Sequence, residues 1–190
     1  MRSFVAIDLE DQQIKKRLIE VQQQLKTLEA GKIKLVDPEQ FHLTIKFLGE
    51  VKEKQLPEIK GVLKGVASFP RQQLAVKGIG VFPHYDYINA IWAGLECSPT
   101  LEKMKFQLEK EYVNLGFARD KYDFTPHFTL GRAKKVWAKE ELLTTLKELK
   151  TEEFGVLDIN KVKLKQSTLT PQGPIYETIA EVELAEKNRN

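Results

Sequence analysis

Cys97 is the only cysteine in the chain, which excludes an internal disulfide and any site built from several thiolates, and fits a reducing compartment. It reads as a small buried hydrophobe. No stretch reaches the roughly 18 uncharged apolar residues that a membrane-crossing helix needs. The opening MRSFVAIDLEDQQ turns polar too early for a secretory leader, so a soluble cytoplasmic protein is expected. Nucleotide-loop signatures are missing as well. There is no GxxxxGKS/T, and KGIG at 77–80 lacks the third glycine and the strand-to-helix setting of a dinucleotide loop. Without HExxH, a His/Cys cluster or an acidic box the three or four ligands of a Zn site are not assembled, so neither metal nor cofactor is expected. Charge of one sign is also lacking. Thirty Lys and Arg against 27 Asp and Glu leave a net +3, which permits a polyanionic partner without demanding one.

What is present describes one compact domain over residues 1–190, 42% apolar and 30% charged, long enough to bury a sizeable core. Phe4–Ile7 reads as a short buried strand. Ile14, Leu18, Val21, Leu25 and Leu28 keep the helical rhythm up to Gly31, with Asp8 or Asp11 as the cap. Strands are predicted at 32–36 and 41–48, and a helix at about 53–68. Leu74–Phe82 reads as a strand in which Gly78 and Gly80 mark a bulge or a close backbone approach, followed by a turn at Pro83, His84 and Tyr85, with His84 a surface residue. Tyr87–Leu95 is a strongly apolar strand. Ser98 and Pro99 open a helix that runs to Gly116, a fourth helix carries Leu142, Leu143, Leu146 and Leu149, and the tail holds strands near 154–159, 161–169 and 175–184. Tyr176, Thr178, Ala180, Val182 and Leu184 alternate as one face of an antiparallel strand would.

Two of the three histidines fall in one repeated pattern, His42-Leu43-Thr44-Ile45 and His127-Phe128-Thr129-Leu130. Side chains two apart on a strand share a face, so each copy presents an imidazole beside a hydroxyl. A lone strand histidine is ordinarily a hydrogen-bonded structural residue; the duplication points instead to a site. The repeat extends to strand, helix and motif strand, at about 4–48 and 87–132: His42 lies 38 positions after Phe4 and His127 lies 39 after Ile88. Two related halves are expected to bring both motifs to one cleft. Two imidazoles suit transfer at phosphorus, one accepting the proton of the attacking water or hydroxyl while the other protonates the leaving oxygen. Thr44 and Thr129 would hold non-bridging oxygens, and Arg132 would add a planar cation. Strict alternation points Arg132 away from the His127 face, so a bend near Gly131 or the end of the strand must redirect it. Phe4, Tyr85 and Tyr122 are aromatic candidates for stacking on a base.

RSFVAIDL at the start, HLTIKFLGEV around the first motif and TPHFTLGR around the second resemble the LigT-type branch of the two-histidine phosphoesterase superfamily, the RNA 2′,3′-cyclic phosphodiesterases once named 2′-5′ RNA ligases. The resemblance spans essentially the whole chain. It implies a bilobal α+β fold with pseudo-two-fold symmetry, two antiparallel sheets with outer helices enclosing a central cleft. It also implies metal-independent hydrolysis of the terminal 2′,3′-cyclic phosphate of RNA to a 2′-phosphate. By motif position, His42 is then the proton donor to the departing 3′ oxygen and His127 the base, with Thr44, Thr129 and Arg132 on the phosphate. The expected partners are RNA ends or nucleotides bearing the cyclic phosphate, with no membrane, and the protein acting as a monomer. Reversible 2′-5′ joining of RNA ends at the same site and a non-catalytic RNA-binding module are the alternative readings.

Overall fold

The computed structural model describes residues 1–171 and 173–186. Nine strands and four α-helices follow in the order β1 (Arg2–Asp8), α1 (Gln12–Thr27), β2 (Gly31–Leu35), β3 (His42–Glu50), α2 (Leu56–Lys64), β4 (Gln72–His84), β5 (Tyr87–Leu95), α3 (Pro99–Asn114), β6 (His127–Val136), α4 (Lys139–Glu148), β7 (Glu153–Ile159), β8 (Lys161–Thr170) and β9 (Gly173–Glu183). The helix starts follow from side-chain chemistry. Asp11, rather than Asp8, caps α1 by accepting from the amides of Gln13 and Ile14, and Ser98 caps α3 by accepting from Leu101. The helix expected at 53–68 is α-helical only from Leu56 to Lys64, with 3₁₀ turns at both ends.

All named strand pairs are antiparallel and run in the order β7-β4-β5-β6-β3-β1-β8-β9, with β2 on β6. The expected two sheets are joined, but only at Leu43 opposite Phe128, the single residue pair between β3 and β6. On either side of that point the order mirrors itself, with each motif strand next to the strand that opens its own repeat. The helices are exchanged between the halves. α1, from the first half, packs on β7 and β6, and α3, from the second, packs on β3 and α2. Ile14, Leu18, Val21 and Leu25 of α1 and Leu101, Met104 and Leu108 of α3 are buried in one continuous core.

Two glycines in β4 behave as the sequence requires. Gly78 has φ +77 beside a register shift, and a Cβ on Gly80 would lie 2.3 Å from the Trp92 ring. The turn after β4 falls at Tyr85 and Asp86, so His84 is the last strand residue, and it is exposed. Alternation along β9 slips: Tyr176, Ala180 and Val182 are half-buried but Thr178 is exposed, because the pairing with β8 shifts register between Leu164 and Lys165. Cys97 is half-buried against the core. Among the described residues no helix is long and apolar enough to cross a membrane.

Candidate active site

Leu43 and Phe128 are fully buried toward the core, so their neighbours His42, Thr44, His127 and Thr129 project from the opposite face, all four half-buried. Because Leu43 and Phe128 are direct partners on adjoining strands, the His and Thr of each motif flank that junction. The structure thus brings both predicted motifs to one place.

The two imidazoles are held alike. Nδ1 of His42 lies 2.7 Å from the Gln40 carbonyl, and Nδ1 of His127 lies 2.6 Å from the Thr125 carbonyl, each two residues upstream. A carbonyl only accepts, so Nδ1 carries the proton and Nε2 faces away from the backbone, free to take or give one. Aromatic rings fix the imidazole planes. His42 sits 5.0 Å from Phe4 and 5.0 Å edge-on from Tyr176; His127 sits 4.8 Å edge-on from Phe82 and 5.8 Å from Trp92. Phe4 is therefore a buried support rather than a base platform, whereas Tyr85 and Tyr122 are exposed.

Burial pushes the His42 imidazole below its ordinary value, with the Gln40 bond and the Asp8 carboxylate opposing and Lys165 and His127 adding to the depression. His127 is likewise lowered by burial, opposed by Thr125 and assisted by Arg132. Asp8, whose burial alone would raise it, is held below the usual carboxylate range by Lys165 and Lys163. Both lysines bond Asp8, at 2.5 and 2.9 Å.

The bend that Arg132 requires is present as a β-bulge. Thr129 pairs with Trp92 and Gly131 with Ile91, leaving Leu130 unopposed. Leu130 and Gly131 are consequently both buried and Arg132 returns, exposed, to the His127 face. Its charge also reaches Tyr176, where it works against the burial that raises the phenol. β3 carries the same device. Thr44 pairs with Ala6 and Lys46 with Val5, leaving Ile45 unopposed. Phe47, in the position of Arg132, emerges 65% exposed, while Lys46 is turned inward and 0% exposed. Lys46 Nζ bonds Glu109 and Asp120 and donates to the Ala118 carbonyl at 2.7 Å, anchoring the loop that leads to His127. Tyr176, Phe82, Trp92, Phe47 and Lys46 were not reached from sequence, where Leu43, Ile45 and Phe47 alternate regularly and give no sign of the bulge.

No group of three His, Cys, Asp or Glu side chains among the described residues is placed to hold a metal ion. A surface groove lined by Phe69, Phe106 and Gln107 lies on α3 and shares no residue with the histidine face.

The LigT like Phosphoesterase family matches residues 7–92 and 95–176. An RNA 2′,3′-cyclic phosphodiesterase from Methanocaldococcus jannaschii is 38% identical over 95% of this chain and 99% of its own. Another, from Methanothermobacter thermautotrophicus, is 36% identical over 93% and 95%. Among solved structures, TT0787 of Thermus thermophilus superposes with a TM-score of 0.82 at 25% identity, covering 97% of this chain and 98% of that one. Escherichia coli LigT complexed with 3′-AMP has the same fold, with a TM-score of 0.76 at 21% identity over 96% and 97% of the two chains. The chain belongs to the LigT-like phosphoesterase family.

Proposed function

We infer that this chain is an RNA 2′,3′-cyclic phosphodiesterase, a hydrolase that opens the terminal cyclic phosphate to a 2′-phosphate. The family, and relatives of that name at 36 and 38% identity over nearly the whole chain, support the activity. The observation that carries the chemistry is the matched pair of Nδ1 bonds, which leaves two Nε2 atoms on one face. In the proposed step Nε2 of His127 accepts a proton from water as its oxygen bonds phosphorus. The bond from phosphorus to the 3′ oxygen breaks on the opposite side, and Nε2–H of His42 supplies the proton that makes a free 3′-hydroxyl. His127 ends protonated and His42 neutral, and exchange with solvent restores both. Thr44 and Thr129 donate to the non-bridging oxygens, and Arg132 offsets the charge that gathers there.

The substrate is an RNA end or nucleotide bearing the cyclic phosphate, with exposed Phe47 available to the adjoining base. The chain works as one domain of two related halves, as a cytoplasmic monomer. No feature of the site favours the alternatives, joining of ends or binding without turnover.

The test uses an RNA oligonucleotide ending in a 2′,3′-cyclic phosphate and follows the phosphate by ³¹P NMR. Wild type yields the 2′-monoester, and His42→Ala and His127→Ala each lose about 10²–10⁴ in turnover. Wild-type turnover in either variant, or a 3′-monoester as product, overturns the reading.

A further inference from the structure

We propose that Gln22, on α1, is a positioning residue that holds the Leu130 bulge and through it aims Arg132 at the substrate phosphate. Gln22 is only 3% exposed, on the same helix face as Leu18 and Leu25, where an amide is costly unless it is hydrogen-bonded. Its Nε2 donates to the Val36 carbonyl at 2.7 Å and to the Leu130 carbonyl at 2.8 Å. The Val36 amide donates to the same Leu130 carbonyl at 2.9 Å. Leu130 is the residue without an opposite number on β5, so the amide from α1 reaches the point where the ladder is broken. That break alone turns Arg132 to the His127 face. A leucine would fill the space of Gln22 without touching the carbonyl, so volume does not account for the amide.

The other half repeats the arrangement with different groups. Asp11 caps α1 and Ser98, 87 residues later, caps α3. The same offset carries Gln22 to Glu109, and Glu109 bonds Lys46, the residue immediately after the bulge at Ile45. Each motif strand is therefore braced at its bulge, on Leu130 itself in one half and on Lys46, the next residue, in the other, by a polar side chain from the helix of the opposite half. The recurrence of a brace beside the bulge in both halves ties it to the site rather than to the core at large.

The inference rests on the proposed function, because Arg132 matters only if a phosphate is bound. Its test is a double-mutant cycle in the full chain: Gln22→Leu, Gln22→Met as a second variant that keeps an unbranched stem, Arg132→Ala, and the two double variants. Each is assayed on an RNA oligonucleotide with a 2′,3′-cyclic phosphate end. The Gln22 variants are expected to lower kcat/KM about tenfold or more, with the same division between kcat and KM as Arg132→Ala. In the Arg132→Ala background they are expected to change it by less than about twofold. Equal losses in both backgrounds, or no loss in the single variants, overturn the proposal. Full activity in Arg132→Ala would instead refute the phosphate-binding role assigned to that arginine under the proposed function.

Discussion

Replacing Lys46 with Met tests whether a buried cation beside the first motif stabilises the fold. Methionine keeps most of the apolar stem and removes only the ammonium. Nζ has no solvent contact, and its partners Glu109 and Asp120 are 19% and 29% exposed. Removing one member of a buried ion pair costs about 3–5 kcal/mol when the partner charge is left alone. Here Glu109 keeps Lys105 at 2.8 Å and the Asp120 amide at 2.9 Å, and Asp120 also keeps Lys105, so the lower end applies, about 3 kcal/mol. For a chain of this size that is about 6–12 °C in Tm. The acid dependence supplies a second reading. Although burial alone would raise it, bonds from Lys105, Asp120 and Lys46 hold Glu109 at about 2. A depressed carboxylate stabilises the fold above its unfolded value near 4.5 and loses that contribution as pH falls toward about 2. Lys46→Met therefore shows its largest deficit at neutral pH, and the deficit shrinks on acidification. Thermal unfolding of both proteins from pH 3 to 7 measures it. A deficit below about 1 kcal/mol at pH 7, or one independent of pH, would refute the assignment of the cluster as a stabilising element.

Other consequences concern catalysis. Both imidazoles of the free enzyme are lowered by burial, so the bell in kcat/KM against pH should centre below about 6.5, its limbs being macroscopic values of the pair. A bound phosphate anion raises both rings, so kcat should peak at higher pH; a kcat/KM maximum above 7 would contradict this account. Thr129→Val removes a donor to the developing charge and should cost about 10² in kcat with little change in Tm, read by steady-state kinetics alongside thermal unfolding. Gly80→Ala sets a Cβ 2.3 Å from the Trp92 ring, which backs His127; about 1–3 kcal/mol of stability should be lost together with turnover. Unchanged activity would show that the aromatic support of His127 is dispensable.

The shared face of each motif was legible in the sequence because it is local. His and Thr two apart share a face on any strand, and Asp11, Ser98 and Pro99 announce helix starts through their own side chains. Gly78 and Gly80 were legible for the same reason. The bulges were not, since Ile45 and Leu130 are ordinary strand residues inside apolar runs, and alternation carried through them buries Phe47 and misdirects Arg132. Only the required return of Arg132 exposed the second bulge beforehand. The aromatic supports depend on register: Tyr176 meets His42 from β9 and Phe82 meets His127 from β4, pairings fixed by distant strands. The exchange of α1 and α3 between halves is likewise invisible to periodicity, which finds the buried face of a helix but not its partner.

That exchange bears on why the two motif strands can share a single residue pair. Each is already satisfied on its other side: β3 by β1, with the Leu9 amide donating to the Phe41 carbonyl at 2.9 Å, and β6 by β5, with the Leu95 amide donating to the Pro126 carbonyl at 3.0 Å. Beyond Leu43 and Phe128 the two strands form no further ladder pair, and from Gly131 onward that edge of β6 is taken by β2. A buried carbonyl left unpaired at a broken ladder costs about 1–3 kcal/mol. The Leu130 carbonyl is doubly satisfied from the opposite half, accepting from the Val36 amide at 2.9 Å and from Gln22 at 2.8 Å. Because that half also supplies His42, the contact at the bulge also fixes the strand of His127 against the half that carries His42. A duplicated fold whose helices stayed in their own halves would rest the spacing of His42 and His127 on the Leu43–Phe128 pair and on the ladder between β2 and β6 alone.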